Sequence, residues 1–340
     1  MNNRTSIEVT APAKLNLTFE VLGLLEDGYH EVRTLMTAID LSDTLTFSFA
    51  QSREPAINIT IANNLGAIQK DNFPLGSDNL IAKAIRIYLS SIEKPVSLKI
   101  DVSIVKKIPI GAGMAGGSAN AAATLLAMNQ YFKGELNANQ LLELGGKLGA
   151  DVPFCLSGGM RVGTGRGDQL SDKLPNQNAL ALVIAKPRNL SIATPWVYSA
   201  YDQSGEIFHL AEKLRDRHMT ESLPSDFASQ ALADGNLSEA LKAFGNDFEQ
   251  VVFPHYQELK DIKQTFIKLG ALGCHMTGSG PTIFAVTTGR AEAEKLKSDF
   301  YEDYCQVNEI ACATKYDPID LWVANTVESG AQILEVKSET

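Results

Sequence analysis

The chain has 340 residues, of which 44% are hydrophobic and 21% are charged, and this globular composition excludes a disordered chain. Its formal net charge of −10 excludes the broadly basic surface of a general nucleic-acid-binding protein, but it allows an anionic ligand at a local basic or backbone N–H site. The length predicts one large domain or two closely associated domains.

The cysteines and the first residues predict a cytoplasmic protein with reduced thiols. The four cysteines are Cys155, Cys274, Cys305 and Cys312, and they form neither a CxxC pair nor a zinc-ligand spacing. The chain begins without an apolar signal segment, and no stretch approaches the roughly 18 apolar residues that cross a bilayer. We therefore expect no nucleic-acid partner, no membrane partner and no metal site among these cysteines.

The first hundred residues predict mainly strands. Apolar and polar residues alternate with the period of a half-buried strand at 15–24, 43–50, 57–62 and 96–105. One helix is expected between them, over the run LIAKAIRIYLSSI, with Asp78 or Asn79 as its N-cap.

The pattern changes after residue 110. Helices are predicted at 118–132 and 137–149, followed by strands at 159–163 and 179–185. Helices dominate 194–269, and the chain then predicts a strand, a GSGP turn at 278–281, a strand at 282–287, a helix at 290–302 and a strand at 305–313. Residues 314–340 have no clear assignment.

This mixture of elements predicts an α+β fold in which two layers share one cleft. The composition changes near 180–200, in the absence of repeats or a polar linker, and this change is the best candidate for a boundary. We therefore divide the chain into an N-terminal domain, 1–180, and a C-terminal domain, 181–340.

A glycine-rich segment between a predicted strand and a predicted helix is the strongest chemical signal. It comprises Pro109, Ile110, Gly111, Ala112, Gly113, Met114, Ala115, Gly116, Gly117, Ser118 and Ala119. Glycine lets backbone N–H groups surround a ligand, and a helix start adds unpaired N–H groups and a partial positive charge, so the segment predicts a phosphate site. The Walker A pattern is absent; a dinucleotide-binding GxGxxG and a merely structural glycine turn remain the alternatives.

Three polar residues outside this segment are candidates for chemistry. Lys14 and Asn16 are two apart on a strand and point to the same face, although both could simply face solvent. Asp151 follows a predicted helix end and precedes an apolar run, where a turn aspartate is the alternative. A nearby ammonium such as Lys14 would keep this carboxylate ionised and able to accept a hydroxyl proton.

Two turns complete the set of candidates. Tyr29 and His30 follow an Asp-Gly turn and offer an aromatic face and a hydrogen-bonding edge to a planar heterocycle, but a plain hairpin with an exposed tyrosine fits as well. The glycine turn at 276–281 either borders a cleft or is only a tight connection between strands.

Five strings, in this order, resemble the GHMP kinase superfamily. They are PAKLNL (12–17), DGYHEV (27–32), IPIGAGMAGGSANAA (108–122), LGADVPF (148–154) and TGSGPTIF (277–284). DGYHEV and LGADVPF are most similar to the branch whose substrate is a cytidine diphosphate derivative of 2-C-methyl-D-erythritol, in non-mevalonate isoprenoid precursor synthesis.

The resemblance implies a fold and an activity. The fold would combine a ribosomal protein S5 domain 2-like N-terminal part with a ferredoxin-like C-terminal part, and the active site would lie in the cleft between them. The activity would be ATP-dependent phosphorylation of the substrate C2 hydroxyl, with Mg²⁺ expected alongside ATP but no protein ligand assigned to it. The protein would be a monomer or a weak homodimer.

The resemblance also implies residue roles. Lys14 and Asp151 match the catalytic pair, with Asp151 taking the hydroxyl proton, and residues 109–119 match the ATP phosphate loop. Asn16 would orient the substrate. His30 would bind the cytosine edge, and Tyr29 and Tyr198 would supply aromatic faces.

Ala115 and Ala119 depart from the glycine and serine common in the family loop, and Tyr198 replaces a common phenylalanine. Two alternatives remain: another GHMP kinase acting on mevalonate, homoserine or a sugar, and a protein of this fold that binds ligand without catalysis.

Overall fold

A computed structural model describes residues 4–63, 73–92, 97–175, 179–204, 222–307 and 318–339. The strands are β1 (Arg4–Asn16), β2 (Thr18–Leu24), β3 (His30–Gln51), β4 (Ala56–Ile61), β5 (Leu98–Val105), β6 (Met160–Thr164), β7 (Gln169–Leu170), β8 (Ala181–Pro187), β9 (Gly245–Asn246), β10 (Gly273–Met276), β11 (Ile283–Thr287), β12 (Ile319–Val327) and β13 (Gln332–Glu339). The helices are α1 (Leu80–Ser91), α2 (Gly116–Tyr131), α3 (Ala138–Leu148), α4 (Val152–Ser157), α5 (Thr194–Ser204), α6 (Pro224–Ala233), α7 (Leu237–Ala240), α8 (Glu249–Val252), α9 (Gln257–Lys268) and α10 (Arg290–Val307).

Strand β3 organises the N-terminal half. It is 22 residues long and pairs antiparallel with β1, β2, β5 and β6 along different parts of its length. Residues such as Leu45, Phe47 and Phe49 are buried, as the alternating pattern at 43–50 predicts. The helices α1 to α4 cover this sheet, and one apolar core lies between them.

Helix α2 is the central helix of this layer. It packs against α1, α4 and strand β1, and its buried positions are mostly alanine. Small side chains allow a helix to lie close to its neighbours on several sides, so α2 places its first turn at a fixed point above β1. The start of α3 is also fixed, because Asn137 and Gln140 form a capping box.

The C-terminal half is built on β8. This strand pairs antiparallel with β11 on one side and β12 on the other, and β10 pairs with β11. A second apolar core lies between these strands and the helices that cover them, with Phe266 and Phe300 stacked at 4.1 Å between ring centroids. The predicted α+β architecture is confirmed.

The tail that had no assignment contains two strands. β12 pairs with β8 and, through Thr326 and Val327, with β3, so it joins the sheets of the two halves. β13 returns to the N-terminal half and pairs antiparallel with β1. The division at residue 180 stays a prediction.

The strand predicted at 305–313 is wrong at 305–307, because α10 continues to Val307, and 308–313 lie outside the described residues. The stacking of Phe300 on Tyr304, one helical turn apart, supports this continuation. No helix in the described part of the chain is long and apolar enough to cross a membrane.

Candidate active site

The glycine-rich loop runs from the end of β5 to the start of α2. Ala115 is the N-cap of α2 in a left-handed conformation (φ 55°), and its methyl group provides no cap for the first-turn N–H groups. Uncapped N–H groups at a helix start attract anions through their hydrogens and through the helix dipole. The first turn of α2 carries no acidic residue that would oppose this. The loop therefore has the form of a phosphate site.

The turn at 277–280 packs directly on this loop. Gly113 has a positive φ of 71°, and a Cβ built there would lie 2.7 Å from the carbonyl oxygen of Thr277 and 2.9 Å from that of Gly280. The two glycine-rich segments, 164 residues apart when counted from Gly113 to Thr277, thus meet backbone to backbone. Position 113 requires glycine for both its conformation and its close contact.

A buried ion pair anchors the chain just before the loop. The Asp43 carboxylate accepts hydrogen bonds from the Lys106 ammonium (2.5 Å) and from the N–H groups of Lys107 (2.7 Å) and Ile108 (2.8 Å). Burial lowers the pKa of Lys106, and the charge of Asp43 opposes that shift. Lys106 also lines the cleft above the loop. The sequence reading missed this pair, since nothing local links residues 63 positions apart.

Lys14, Asn16 and Asp151 meet opposite the loop. The Lys14 Nζ lies 2.6 Å from Asn16 Oδ1 and 3.5 Å from Asp151 Oδ1. Lys14 is only 4% exposed, while the Asp151 side chain is open to the cleft at the N-cap of α4. The Lys14 backbone N–H donates to the Met114 carbonyl at 3.2 Å, so the strand carrying this ammonium is tied to the loop.

Asn16 is held by threonine hydroxyls from two other strands or turns. Its Nδ2 donates to Thr34 Oγ1 at 2.7 Å, and its backbone N–H donates to Thr277 Oγ1 at 2.9 Å. The Thr277 hydroxyl also donates to the Asn16 Oδ1 at 3.4 Å, so both ends of the amide have partners while Oδ1 faces Lys14. The predicted juxtaposition of Lys14 and Asn16 on one face is thus present in the structure, with a buried polar environment in place of solvent.

Of the aromatic candidates, Tyr198 lines the cleft and His30 lies against Tyr198. The rings of His30 and Tyr198 stack at 4.5 Å between centroids, and His30 Nε2 lies 2.7 Å from Asp202 Oδ1. Burial, together with the nearby charge of Asp151, raises the pKa of Tyr198 to about 12. The structure thus brings Tyr198, His30 and Asp151 into one neighbourhood.

Tyr29 is more peripheral. It is 57% exposed, and the Arg166 guanidinium lies 4.1 Å from the centre of its ring. Arg166 is itself paired with Asp27 at 2.7 Å. The sequence analysis did not identify the turn that carries Arg166. In the structure this turn lies beside the DGYH segment, where Arg166 contacts Asp27 and Tyr29.

The cleft between the glycine-rich loop, the Lys14–Asp151 pair and Tyr198 has a volume of about 510 Å³. Lys14, Asp151, Tyr198 and the loop from Pro109 to Gly117 line it, together with Arg166 and Phe248, which the sequence reading did not identify. Ser118 and Ala119 are not among the lining residues, and Ala119 is buried in the core. Asn16, Tyr29 and His30 also do not line this volume.

The described residues hold no group of three or more His, Cys, Asp or Glu side chains suited to a metal ion. A second cavity of about 510 Å³ lies between α10 and β12, but its lining contains neither the glycine-rich loop nor the Lys14–Asp151 pair. The phosphate loop and the polar pair therefore define the candidate site.

Comparison with known proteins identifies relatives over the whole chain. The family described as GHMP kinases N terminal domain matches residues 79–159, and the family described as GHMP kinases C terminal matches residues 228–305. A 4-diphosphocytidyl-2-C-methyl-D-erythritol kinase from Gloeothece citriformis is 31% identical over 333 residues, which cover 95% of this chain and 96% of the relative.

Solved structures agree with this result. A crystal structure of 4-(cytidine 5'-diphospho)-2C-methyl-D-erythritol kinase is similar with a TM-score of 0.69 at 28% identity, covering 94% of this chain and 99% of that one. A homoserine kinase from Cytophaga hutchinsonii has a TM-score of 0.70 at 22% identity, over 97% of each chain, and this likeness concerns the fold alone.

Proposed function

The chain belongs to the GHMP kinases, and within them to the family of 4-diphosphocytidyl-2-C-methyl-D-erythritol kinases; on that premise we propose which residues perform its reaction. The reaction is the transfer of the γ-phosphoryl group of ATP to the C2 hydroxyl of 4-diphosphocytidyl-2-C-methyl-D-erythritol, which gives the 2-phosphate and ADP. The observation that carries the assignment of residues is the Lys14–Asp151 pair, 3.5 Å apart, facing the glycine-rich loop in one cleft.

The loop binds the phosphates of ATP. The uncapped N–H groups at the start of α2 and the glycine backbone at 111–117 provide donors without side chains in the way, which fits a polyphosphate. The cleft volume of about 510 Å³ lies in the range of small-molecule sites. Mg²⁺, which accompanies ATP in phosphoryl transfer, supplies charge neutralisation, and we assign no protein ligand to it.

Asp151 accepts the proton of the C2 hydroxyl as the hydroxyl oxygen forms its bond to the γ-phosphorus. The bond from the γ-phosphorus to the bridging oxygen breaks, and its electron pair leaves with ADP. The buried Lys14 ammonium stabilises negative charge on Asp151 and on the transferred group. Asn16 orients Lys14 and the substrate, because its amide donates to Thr34 and accepts from Thr277.

The cytidine part of the substrate binds at the aromatic end of the cleft. His30 supplies a hydrogen-bonding edge and Tyr29 and Tyr198 supply ring faces. The His30 ring now stacks on Tyr198, so it already holds an aromatic contact of the kind that a pyrimidine would make. The absence of nucleic-acid and membrane partners, a cytoplasmic location, and a monomeric or weakly dimeric state stay predictions from the sequence.

The first test is an ADP-release assay with Mg·ATP and four acceptors: the cytidyl substrate, mevalonate, homoserine and galactose. We expect turnover and a mass gain of one phosphate with the cytidyl substrate alone. Turnover only with another acceptor would retain a kinase but remove the cytidine site. Binding of ATP with no turnover on any acceptor would support a non-catalytic protein.

The role of Asp151 is tested by Asp151→Asn. The amide cannot take the hydroxyl proton, so kcat should fall by about 100-fold to 10,000-fold, the usual contribution of a general base. The Kd for ATP, measured by calorimetry, should change little, because the phosphate loop is intact. Asp202→Asn is the control, since it changes a carboxylate beside His30 rather than beside Lys14. An unimpaired kcat in Asp151→Asn would remove the base role.

A further inference from the structure

The side chain of Asn246 binds backbone carbonyl groups of the glycine turn at 277–280 and of the residue before it. Its Nδ2 donates to two carbonyl oxygens, those of Met276 and Gly278, each at 2.8 Å. Its Oδ1 accepts the backbone N–H of Phe248 at 2.9 Å. The side chain is 8% exposed, so this amide satisfies its hydrogen bonds within the protein.

The turn that Asn246 holds is the one that packs on the phosphate loop. A Cβ built at Gly278 would lie 3.1 Å from the Gly113 carbonyl oxygen, and one built at Gly113 would lie 2.7 Å from the Thr277 carbonyl oxygen. With so little free space, a shift of the turn by a few tenths of an ångström must move the loop or separate the two segments.

Asn246 is also fixed to the strand that follows the catalytic residues. It lies on β9, which pairs in parallel with β2, and the N–H of Asp247 donates to the Phe19 carbonyl at 3.0 Å. Asn16 reaches the same turn through Thr277. The turn is therefore held at Thr277 by the Asn16 N–H and at the carbonyls of Met276 and Gly278 by the Asn246 amide.

We propose that Asn246 is a positioning residue for phosphoryl transfer, because its two donated hydrogen bonds set the glycine turn against the ATP phosphate loop. This inference rests on the proposed function. Asn246 does not line the cleft; it acts through Met276 and Gly278 and then through Gly113.

The test is Asn246→Asp, which keeps an oxygen acceptor for Phe248 but replaces both donated bonds with a carboxylate oxygen facing two carbonyl oxygens. We expect kcat/KM for ATP to fall by about 10-fold to 100-fold, the cost of leaving buried acceptors unpaired. The Kd for ATP should rise with it, whereas KM for the cytidyl acceptor should change less than about two-fold. Asn246→Ser, which introduces no charge, should give a smaller change of the same kind.

Asn129→Asp is the matched control. Asn129 also donates from Nδ2 to a backbone carbonyl, that of Leu136 at 3.0 Å, and accepts the Leu136 N–H, but it lies at the far end of α2 from the loop. This variant should keep the kinetic constants of the parent protein, even if its melting temperature is lower.

Three results would overturn the proposal. One is a folded Asn246→Asp with unchanged ATP constants. Another is an equal rise of both KM values, which would indicate a general disruption of the cleft. The third is failure of both Asn246 variants to fold, which would assign the amide a structural role. If the parent protein itself turned over no cytidyl acceptor, the proposed function would fail, and the ATP Kd of parent and variant would still decide the role of Asn246.

Discussion

Each polar residue of the cleft is held by partners from segments distant in the sequence. The Lys14 ammonium is 4% exposed, and a buried charge requires compensation, which Asn16 and Asp151 supply at 2.6 Å and 3.5 Å. Asp43 likewise offsets the buried Lys106. Substituting one residue of such a pair is costly, because the buried partner then lacks a hydrogen bond and has no contact with water. The site is therefore fixed by pairs rather than by single side chains.

Glu20 is a buried carboxylate outside the Lys14–Asp151 pair, and it makes stability depend on pH. It is 6% exposed on β2, and burial raises its pKa from 4.5 to about 7, while a hydrogen bond from Ser225 opposes that shift. Between these two pH values the folded protein holds a proton that the unfolded chain has released. The contribution of Glu20 to the free energy of unfolding should thus be fully present below pH 4.5 and fall by about 3 kcal/mol as the pH rises through 7.

Glu20→Gln tests this dependence, because glutamine does not titrate. Urea unfolding at pH 5 and pH 8 should show a smaller loss of stability in the variant than in the parent, by about 2.5 kcal/mol. Glu54→Gln, at an exposed position before β4, is the control and should leave the difference unchanged. The same pH slope in the parent and in Glu20→Gln would exclude Glu20 as its source.

At the scale of elements, the N-cap of α2 has a left-handed backbone conformation that is unfavourable for alanine, the residue at that position. Ala115 has φ 55° and ψ 30°, a left-handed conformation that costs an L-residue about 1–2 kcal/mol. Glycine adopts it freely but loses more conformational entropy on folding. Ala115→Gly should therefore raise the free energy of unfolding by about 0.5–1 kcal/mol.

The matched control for Ala115→Gly is Ala122→Gly, the same change in the buried interior of α2. It should lower stability by about 1 kcal/mol or more, because glycine is disfavoured within a helix and the change also opens space in the core. Chemical denaturation of both variants measures whether the free energy of unfolding rises in Ala115→Gly and falls in Ala122→Gly. A loss of stability in Ala115→Gly would mean that the left-handed N-cap is not populated in solution.

Elements with strong local patterns could be predicted from the sequence, and elements fixed by distant partners could not. The strand at 43–50 has a clear period, α1 and α3 have clear periods and side-chain N-caps, and α2 is an alanine-rich run after a glycine cluster, and all were expected. β9 is two residues long and exists only through its pairing with β2. Asn246, Lys106 and Asp43 carry no motif, since their roles depend on contacts across 30 to 63 positions. The loop and Lys14 were found because motif and chemistry coincide there.

At the scale of the molecule, the two C-terminal strands connect the C-terminal half to the N-terminal half. β12 connects the sheets of the two halves, and β13 adds to the edge of the N-terminal sheet beside β1. Both lie beyond the last motif of the family and were left unassigned in the sequence, because the strands with which they pair are far away along the chain. β1 carries Lys14 and Asn16 at its other end, so the tail supports the strand on which the Lys14 ammonium lies.

Two neighbouring residues of β13 test this docking. Ile333 is paired with Val9 and packs against the first core, whereas Leu334 is 54% exposed next to the bulge between Glu8 and Val9. Ile333→Ser should lower the free energy of unfolding by about 1–2 kcal/mol, since it removes a partly buried apolar side chain. Leu334→Ser should change it by less than about 0.5 kcal/mol. β13 pairs only with residues 4–10 of β1, so it makes no pairing with Lys14 or Asn16. Both variants should therefore keep the parent kcat where they are folded. Equal stability changes in the two variants would show that β13 does not occupy this register against β1.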